Sequence, residues 1–252
     1  QGKLEEARDC LEAALPVFCS KGDERAQAGI LVDIGHIHAR WGNWEQVRQD
    51  YATAERIFRR YDHLLGQANL LASLGHMHAT HDRFDQAQES HRQALKLHEQ
   101  LDNPLGRAGV HTHIGNGYFR ENRLQSALLS YEEAMDLHRE LKDPLGEATA
   151  LVNMGNVQFR EGRFDDALQL YDRALDTHKR IGNPLGQANV LTNIGSVLSR
   201  QGQRQEALEV LEQARAIYRQ VGAVTRGQDA VEKLIARLRR SSPEDGDGGG
   251  DA

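Results

Sequence analysis

The sequence is poor in cysteine, in aromatic residues and in long apolar runs. Its two cysteines, Cys10 and Cys19, lie nine residues apart in one predicted helix. That spacing is a rise of roughly 13 Å, too far for a disulfide, so we interpret both as small buried hydrophobic residues. No apolar run approaches the length of a membrane span, and no charged-then-apolar leader is present. These absences favour a soluble, cytoplasmic protein without membrane contact.

The sequence also lacks a large excess of acidic or of basic residues. The formal net charge is −6 and falls to −2 without residues 241–252, which carry four acidic residues and no basic one. Aromatic residues make up 6% of the chain. A body this close to neutrality lacks the basic surface that nucleic acid binding needs, so we expect no nucleic acid partner.

Signatures of catalysis are missing as well. The sequence contains no P-loop, dinucleotide fingerprint, nucleophile elbow or zinc-ligand spacing. Its notable residues recur at one phase of a repeat, whereas catalysis needs unlike groups that converge on one spot. The expectation is a protein with no enzymatic activity, no cofactor and no metal ion.

What the sequence does contain is an internal repeat of 40 residues. Five glycines stand in strict register: Gly35, Gly75, Gly115, Gly155 and Gly195. Each repeat has two apolar patterns of helical period separated by a short polar break, which predicts two antiparallel helices, A and B. In the fourth repeat Asp143 is the expected N-cap and Pro144 the first residue of helix A. Small residues such as Gly155 mark places where helices approach closely, and Gly182 is expected to end helix B in a left-handed conformation.

The repeat register predicts the domain organisation. The expected segments are a half repeat at 2–21, five repeats at 22–61, 62–101, 102–141, 142–181 and 182–222, a C-terminal capping helix at 223–240, and a disordered acidic, Gly-rich tail at 241–252. Residues 1–222 are expected to form one stack without an internal boundary. The chain opens in the middle of a repeat, which is typical of a piece cut from a longer protein.

Eight positions of the fourth repeat carry a family resemblance. They are Leu151, Met154, Gly155, Phe159, Gly162, Ala167, Tyr171 and Ala174. This pattern resembles the tetratricopeptide repeat signature, and the 40-residue form resembles the repeats of Pins-type spindle-orientation adaptors and those attached to signalling ATPases and caspase-like proteases. The resemblance implies an all-α, right-handed superhelical solenoid of stacked antiparallel helix pairs.

The resemblance also implies a binding surface, because in that family helix A lines a concave groove that holds a partner's peptide or helix. Three polar columns of helix A, two residues before the landmark glycine and one and five after it, share a face. With two neighbouring phenylalanines they give these candidate peptide-binding residues: Asp33, His36, Arg40, Ser73, His76, His113, Asn116, Phe119, Arg120, Asn153, Asn156, Phe159, Arg160, Asn193, Ser196 and Arg200.

The side chains in these columns suggest what the groove would bind. Amides such as Asn153 pair with both N–H and C=O of an extended peptide, and the arginines favour a partner with acidic residues. Two alternatives stay open: the arginines are solvated or paired at the end of helix A, or the amides bond neighbouring helix ends within the stack. Most of the twelve histidines are expected at structural helix contacts, while His36, His76 and His113 would make binding pH-sensitive.

The sequence leaves three hypotheses about the function. The leading hypothesis is a protein-interaction scaffold that binds a peptide or helix in its groove. A second is the sensor or regulatory arm of a larger signalling ATPase or protease. A third is a structural, self-associating stack.

Overall fold

The computed structural model describes residues 2–222 and 226–240. In these two ranges the chain forms twelve α-helices and no strand, which confirms the predicted all-α class. The helices are α1 (Gly2–Ser20), α2 (Glu24–Trp41), α3 (Trp44–Arg60), α4 (Leu64–Thr80), α5 (Phe84–Gln100), α6 (Pro104–Arg120), α7 (Leu124–Glu140), α8 (Pro144–Arg160), α9 (Phe164–Arg180), α10 (Pro184–Arg200), α11 (Arg204–Val221) and α12 (Arg226–Arg240). The even-numbered helices α2 to α10 are the predicted A helices, and the odd-numbered helices α3 to α11 are the B helices.

Caps and turns explain where the helices begin and end. The Asp143 carboxylate accepts hydrogen bonds from the backbone N–H groups of Leu145 and Gly146, and Pro144 opens α8, as predicted. Within two residues of the end of each helix from α1 to α11 stands a residue with positive φ: Gly22, Gly42, Asp62, Asp82, Asp102, Asn122, Lys142, Gly162, Gly182, Gly202 and Gly222. The prediction that Gly182 ends helix B in a left-handed conformation is therefore confirmed.

The chain divides into two compact units, residues 1–127 and 128–252, here called the N-terminal and C-terminal units. Each has its own apolar core. Tyr51 and Leu70 belong to that of the N-terminal unit, and Tyr171 and Tyr218 to that of the C-terminal unit. The expected single stack without a boundary stays a prediction.

The landmark glycines are points of close approach, as the sequence predicts. A Cβ atom added at Gly155 would stand 2.5 Å from Cε1 of Tyr171, and one added at Gly195 would stand 2.6 Å from Cγ of Leu211. Each glycine therefore lets helix A lie directly against a bulky residue of the helix B that follows it.

The interpretation of the two cysteines as buried residues is wrong. Cys10 and Cys19 are both exposed and both free. They lie on α1, which packs against α2 in the described part of the chain, so much of the α1 surface stays in contact with solvent. The expectation that they form no disulfide is confirmed.

The last described helix packs against the final repeat. Val231, Ile235 and Leu238 of α12 are buried in the core that holds Leu211 and Tyr218 of α11. Ile235 stands where the repeat would place glycine, and it is 2% exposed. The role of α12 as a cap stays a prediction, and the expected tail at 241–252 lies outside the described residues.

Candidate functional site

In the N-terminal unit, the A helices border a cavity of about 580 Å³. Five of the predicted binding residues line it: His36, Arg40, Ser73, His76 and His113. Leu4, Ile37, Ala39, Trp44, Tyr51, Met77 and Thr80 complete the wall. Helix A thus brings one turn of α2, two turns of α4 and one residue of α6 to a common space, which is the convergence that the three polar columns predict.

A hydrogen bond joins α2 to α4 at the edge of this cavity. The Ser73 hydroxyl donates to the backbone carbonyl of Asn69 at 3.0 Å, so it accepts from Nε2 of His36 at 2.9 Å. This arrangement keeps the proton of the neutral His36 ring on Nε2. The ring of His36 also meets that of Tyr51 edge-on, with centroids 5.9 Å apart. His36 is therefore held between two helices and still exposed on its outer side.

A row of histidines continues the contact from α4 to α6. The ring centroids of His76 and His113 are 5.1 Å apart, and those of His113 and His91 are 6.1 Å apart. His91 belongs to α5 and occupies the position that Tyr51 holds one repeat earlier. Within the described residues, no group of three or more His, Cys, Asp or Glu side chains is arranged to hold a metal ion.

Burial keeps these imidazoles neutral. Loss of hydration lowers the pKa of His36 and of His76, and it lowers the pKa of His113 and His91 to about 4. Neighbouring charges contribute less: Arg40 lowers the pKa of His36 further, while Asp33 opposes the shift. At neutral pH the permanent charge among the cavity-lining residues is therefore that of Arg40.

In the C-terminal unit, the same columns form a hydrogen-bonded network. The Tyr171 hydroxyl donates to Oδ1 of Asn156 at 2.7 Å, and Nδ2 of Asn193 donates to the same oxygen at 3.5 Å. Ser196 donates to the Thr192 carbonyl at 2.8 Å. Asn156 and Asn193 thus bond to side chains of neighbouring helices, whereas the alternative drawn from the sequence is a bond to helix ends.

A separate groove of about 280 Å³ lies between α8 and α10 of that unit. Among the predicted residues, Asn153 lines it. The other lining residues are Leu145, Thr149, Val152, His178, Asn183, Leu185, Gly186, Asn189 and Val190. The Tyr218 hydroxyl donates to Oδ1 of Asn189 at 2.6 Å, which leaves the Nδ2 group of Asn189 available as a donor.

The arginine column has no common role. Nε and Nη2 of Arg120 donate to the carbonyls of Ala79 and Thr80 at 3.2 and 3.1 Å, and Nη2 lies 3.3 Å from Asp82. Arg120 therefore caps the C-terminal end of α4. Arg40 and Arg200 are exposed and have no ion pair or side-chain hydrogen bond within the described residues, and Arg160 does have an interaction partner.

The remaining predicted residues lie outside both recesses. Asp33 is exposed on α2, and Asn116 and Phe119 of α6 do not line the cavity. Phe159 is partly buried against the core of the C-terminal unit, with its ring centroid 5.8 Å from that of Phe164. Phe159 lines neither the cavity nor the groove.

Sequence reasoning missed several lining residues. Trp44 and Met77 line the cavity, and Thr149 and Asn189 line the groove. Thr149 and Asn189 form a column six residues before the landmark glycine, so the repeat register itself contains the signal that finds them. Trp44 belongs to the B helix α3, outside the polar columns of helix A.

Residues 146–220 match the sequence profile of the tetratricopeptide repeat family. The matched stretch covers nearly all of α8 to α11, whose helix pairs show the close approaches that this repeat predicts. The profile match shows tetratricopeptide repeats at residues 146–220, and the other described helices have the same helix-pair architecture. The narrower assignment to the Pins-type variant stays a prediction.

Solved structures share the fold. BtubC (BKLC) from P. vanneervenii is 16% identical, with a TM-score of 0.65 over 99% of this chain and 96% of that one. A Rap protein complexed with competence and sporulation factor is 15% identical, with a TM-score of 0.69 over 95% and 70%. A STAND protein with a tetratricopeptide repeat sensor from Pyrococcus horikoshii is 13% identical, with a TM-score of 0.60 over 94% and 36%. At these identities the similarity concerns the fold, and no curated protein matches the sequence significantly.

Among the described helices, none combines the length and the apolar character needed to cross a bilayer.

Proposed function

We propose that this chain is a protein-interaction module whose A helices hold an extended or helical segment of a partner protein. One observation carries the proposal: five residues that the family resemblance and the repeat register predict line a single open cavity of about 580 Å³. That volume lies in the range of about 300–1,000 Å³ that is common for binding pockets. The cytoplasmic location predicted from the sequence belongs to the same proposal.

The groove of the C-terminal unit suits the main chain of a partner. Its lining combines apolar side chains such as Leu145 and Val152 with amides such as Asn153 and Asn189. Because Oδ1 of Asn189 is occupied by the Tyr218 hydroxyl, its Nδ2 group is oriented to donate to a peptide carbonyl. Leu145 is 49% exposed and offers the partner an apolar contact.

The proposal assigns the chain no catalytic role. The polar groups that meet at the cavity are hydroxyls, imidazoles, an indole and one guanidinium, spread along three A helices and α3. Among the described residues that line the cavity there is no aspartate or glutamate. The cavity therefore lacks the carboxylate that would orient a histidine as the general base for a serine nucleophile.

A second candidate is the sensor arm of a larger signalling protein. It is favoured by the fold shared with the repeat sensor of a STAND protein, of which this chain covers 36%. In that case the bound partner segment would be the signal that the chain senses, and the catalytic activity would belong to another domain of the larger protein. Both candidates require the same binding surface.

Selection of random linear 12-residue peptides on the purified chain tests the proposal. We expect enriched peptides whose affinity falls at least tenfold in the double variant Arg40→Gln, Asn153→Ala. The matched control is Arg56→Gln, Gln169→Ala, since both of these side chains are exposed on B helices. Enrichment of no peptide, or equal affinity for both double variants, would overturn the proposal.

A further inference from the structure

Helix α1 exposes an apolar face whose counterparts in the other B helices are buried. Val17 is 48% exposed, whereas Ile57 and Leu137, which stand at the same repeat position in α3 and α7, are 8% and 7% exposed. Ala7 is exposed in α1, whereas Val47 at the same repeat position of α3 is fully buried. Because uncovered apolar surface of this kind marks interaction sites, α1 has a side that a further helix can cover.

One row of exposed residues runs along this face. Glu6, Cys10, Ala13, Val17 and Lys21 follow one another at intervals of three or four residues, so they share one side of the helix. The middle of the row is apolar, and each end carries one charge. The side chains of Glu6 and Lys21 have no ion pair or hydrogen bond among the described residues, so both charges are available to a partner.

We propose that this row packs against the same row of a second copy of the chain, in an antiparallel pair of α1 helices related by a two-fold axis. Glu6 then lies opposite Lys21 of the second copy at both ends of the pair, and Cys10 lies opposite Val17 of the second copy. The axis passes beside Ala13, whose small side chain lets the two helices approach closely. A two-fold interface must be complementary to itself, and this row is so in both charge and size.

The charges of α1 decide the orientation of the pair. A parallel pair would place Glu6 against Glu6 and Lys21 against Lys21, whereas the antiparallel pair brings opposite charges together at both ends. The neighbouring carboxylates do not oppose this arrangement, because Arg8 lies 2.7 Å from Asp9 and 3.7 Å from Glu12 and neutralises them within the same helix.

The pair is closed and small. A two-fold interface uses the same surface in both copies, so assembly stops at the dimer. Each copy contributes one helix of 19 residues, Gly2–Ser20. Such a helix buries less surface than the roughly 800 Å² per partner of a standard interface, so we expect weak, concentration-dependent association. This inference does not rest on the proposed function, because α1 supplies the interface and the A helices hold the partner segment.

Reversal of the two end charges tests the pairing. In sedimentation velocity of the full chain between about 5 and about 500 μM, we expect a monomer–dimer equilibrium. Glu6→Lys and Lys21→Glu should each weaken the dimer at least tenfold, and the double variant should restore it, because the opposite charges then meet again. The matched control is Glu99→Lys, Lys96→Glu, since both of these side chains are exposed on α5. A monomer at every concentration, or a double variant as weak as the single ones, would overturn the inference.

The native cysteines supply an independent measurement of the orientation. In the antiparallel pair seven residues, or roughly 10 Å of helix rise, separate the two Cys10 side chains along the axis, within the reach of a bismaleimide that spans about 13 Å. We expect this reagent to yield a covalent dimer of the parent chain and of Cys19→Ser, and none of Cys10→Ser. Equal cross-linking of Cys10→Ser and the parent chain would contradict the proposed pairing.

Discussion

Asn193 donates to Asn156 across 3.5 Å, and 120 residues earlier in the register His36 donates to Ser73 across 2.9 Å. In both pairs the residues are 37 positions apart and join one A helix to the next. The polar columns thus connect consecutive repeats inside each unit. A residue can belong to such a column and have its amide oxygen occupied by the protein itself, as Asn156 does.

Removal of the Tyr171 hydroxyl tests this connection. Tyr171→Phe deletes the donor that satisfies Oδ1 of Asn156 at 2.7 Å, so we expect the free energy of unfolding to fall by about 1 kcal/mol. Urea denaturation followed by circular dichroism measures the change. Tyr61→Phe is the control, because its hydroxyl has no hydrogen-bond partner among the described residues, and an equal loss in both variants would contradict the prediction.

Alanine at the landmark glycine should destabilise the fold. In Gly155→Ala the added Cβ would stand 2.5 Å from the buried ring of Tyr171, which is 1% exposed, and overpacking of this kind costs about 1–3 kcal/mol. Gly109→Ala is the matched change in α6, where no heavy atom lies within 4 Å of the added Cβ. There we expect a gain of up to about 1 kcal/mol from helix propensity. Equal losses in the free energy of unfolding of Gly155→Ala and Gly109→Ala would contradict this prediction.

A glycine at Lys142 should stabilise the turn between α7 and α8. Lys142 has a φ of 52°, a left-handed conformation that costs a residue with a Cβ atom roughly 1 kcal/mol. Lys142→Gly is therefore expected to raise the melting temperature by a few degrees. The reverse change, Gly182→Ala at the equivalent position with φ of 66°, should lower it. Scanning calorimetry of the two variants and of the parent chain measures whether each melting temperature rises or falls.

Acid should weaken the N-terminal unit through its buried histidines. The pKa of His91 and of His113 is about 4 in the folded chain, mainly because burial removes hydration, and close to 6.5 when unfolded. The folded state thus binds fewer protons than the unfolded state. The free energy of unfolding is therefore unaffected by these two groups above about pH 6.5 and decreases as the pH falls from about 6.5 to 4. Urea midpoints measured across this range should fall less steeply in the double variant His91→Gln, His113→Gln. An unchanged slope would show that other groups are responsible.

Much of the fold could be predicted from the sequence, because a residue type that recurs at the same position of the repeat indicates one physical cause. Gly155 approaches Tyr171, and Asp143 with Pro144 begins α8, as the repeat register predicts. The cysteines show where this reasoning fails. Cys10 and Cys19 belong to a helix that is covered on the side of α2, and hydrophobic character alone does not reveal which neighbours a terminal helix has.

The candidate site is only partly predictable for a different reason. The register identifies the residues that share a face, but it does not say whether a neighbour already satisfies their polar groups. Arg40 and Arg120 occupy the same column, and only Arg120 finds carbonyl oxygens at the end of the preceding A helix. Asn153 and Asn156 differ in the same way, because Asn156 accepts from Tyr171 while Asn153 lines the groove.

The left-handed residues near the helix ends stand twenty positions apart, from Gly22 to Gly222. Twenty residues separate an A helix from its B helix, and forty bring the chain back to an equivalent place. An insertion or deletion of forty residues would therefore keep the alternation of A and B helices, whereas one of twenty would place an A helix where a B helix belongs. Viable changes in the length of this chain should come in steps of one whole hairpin.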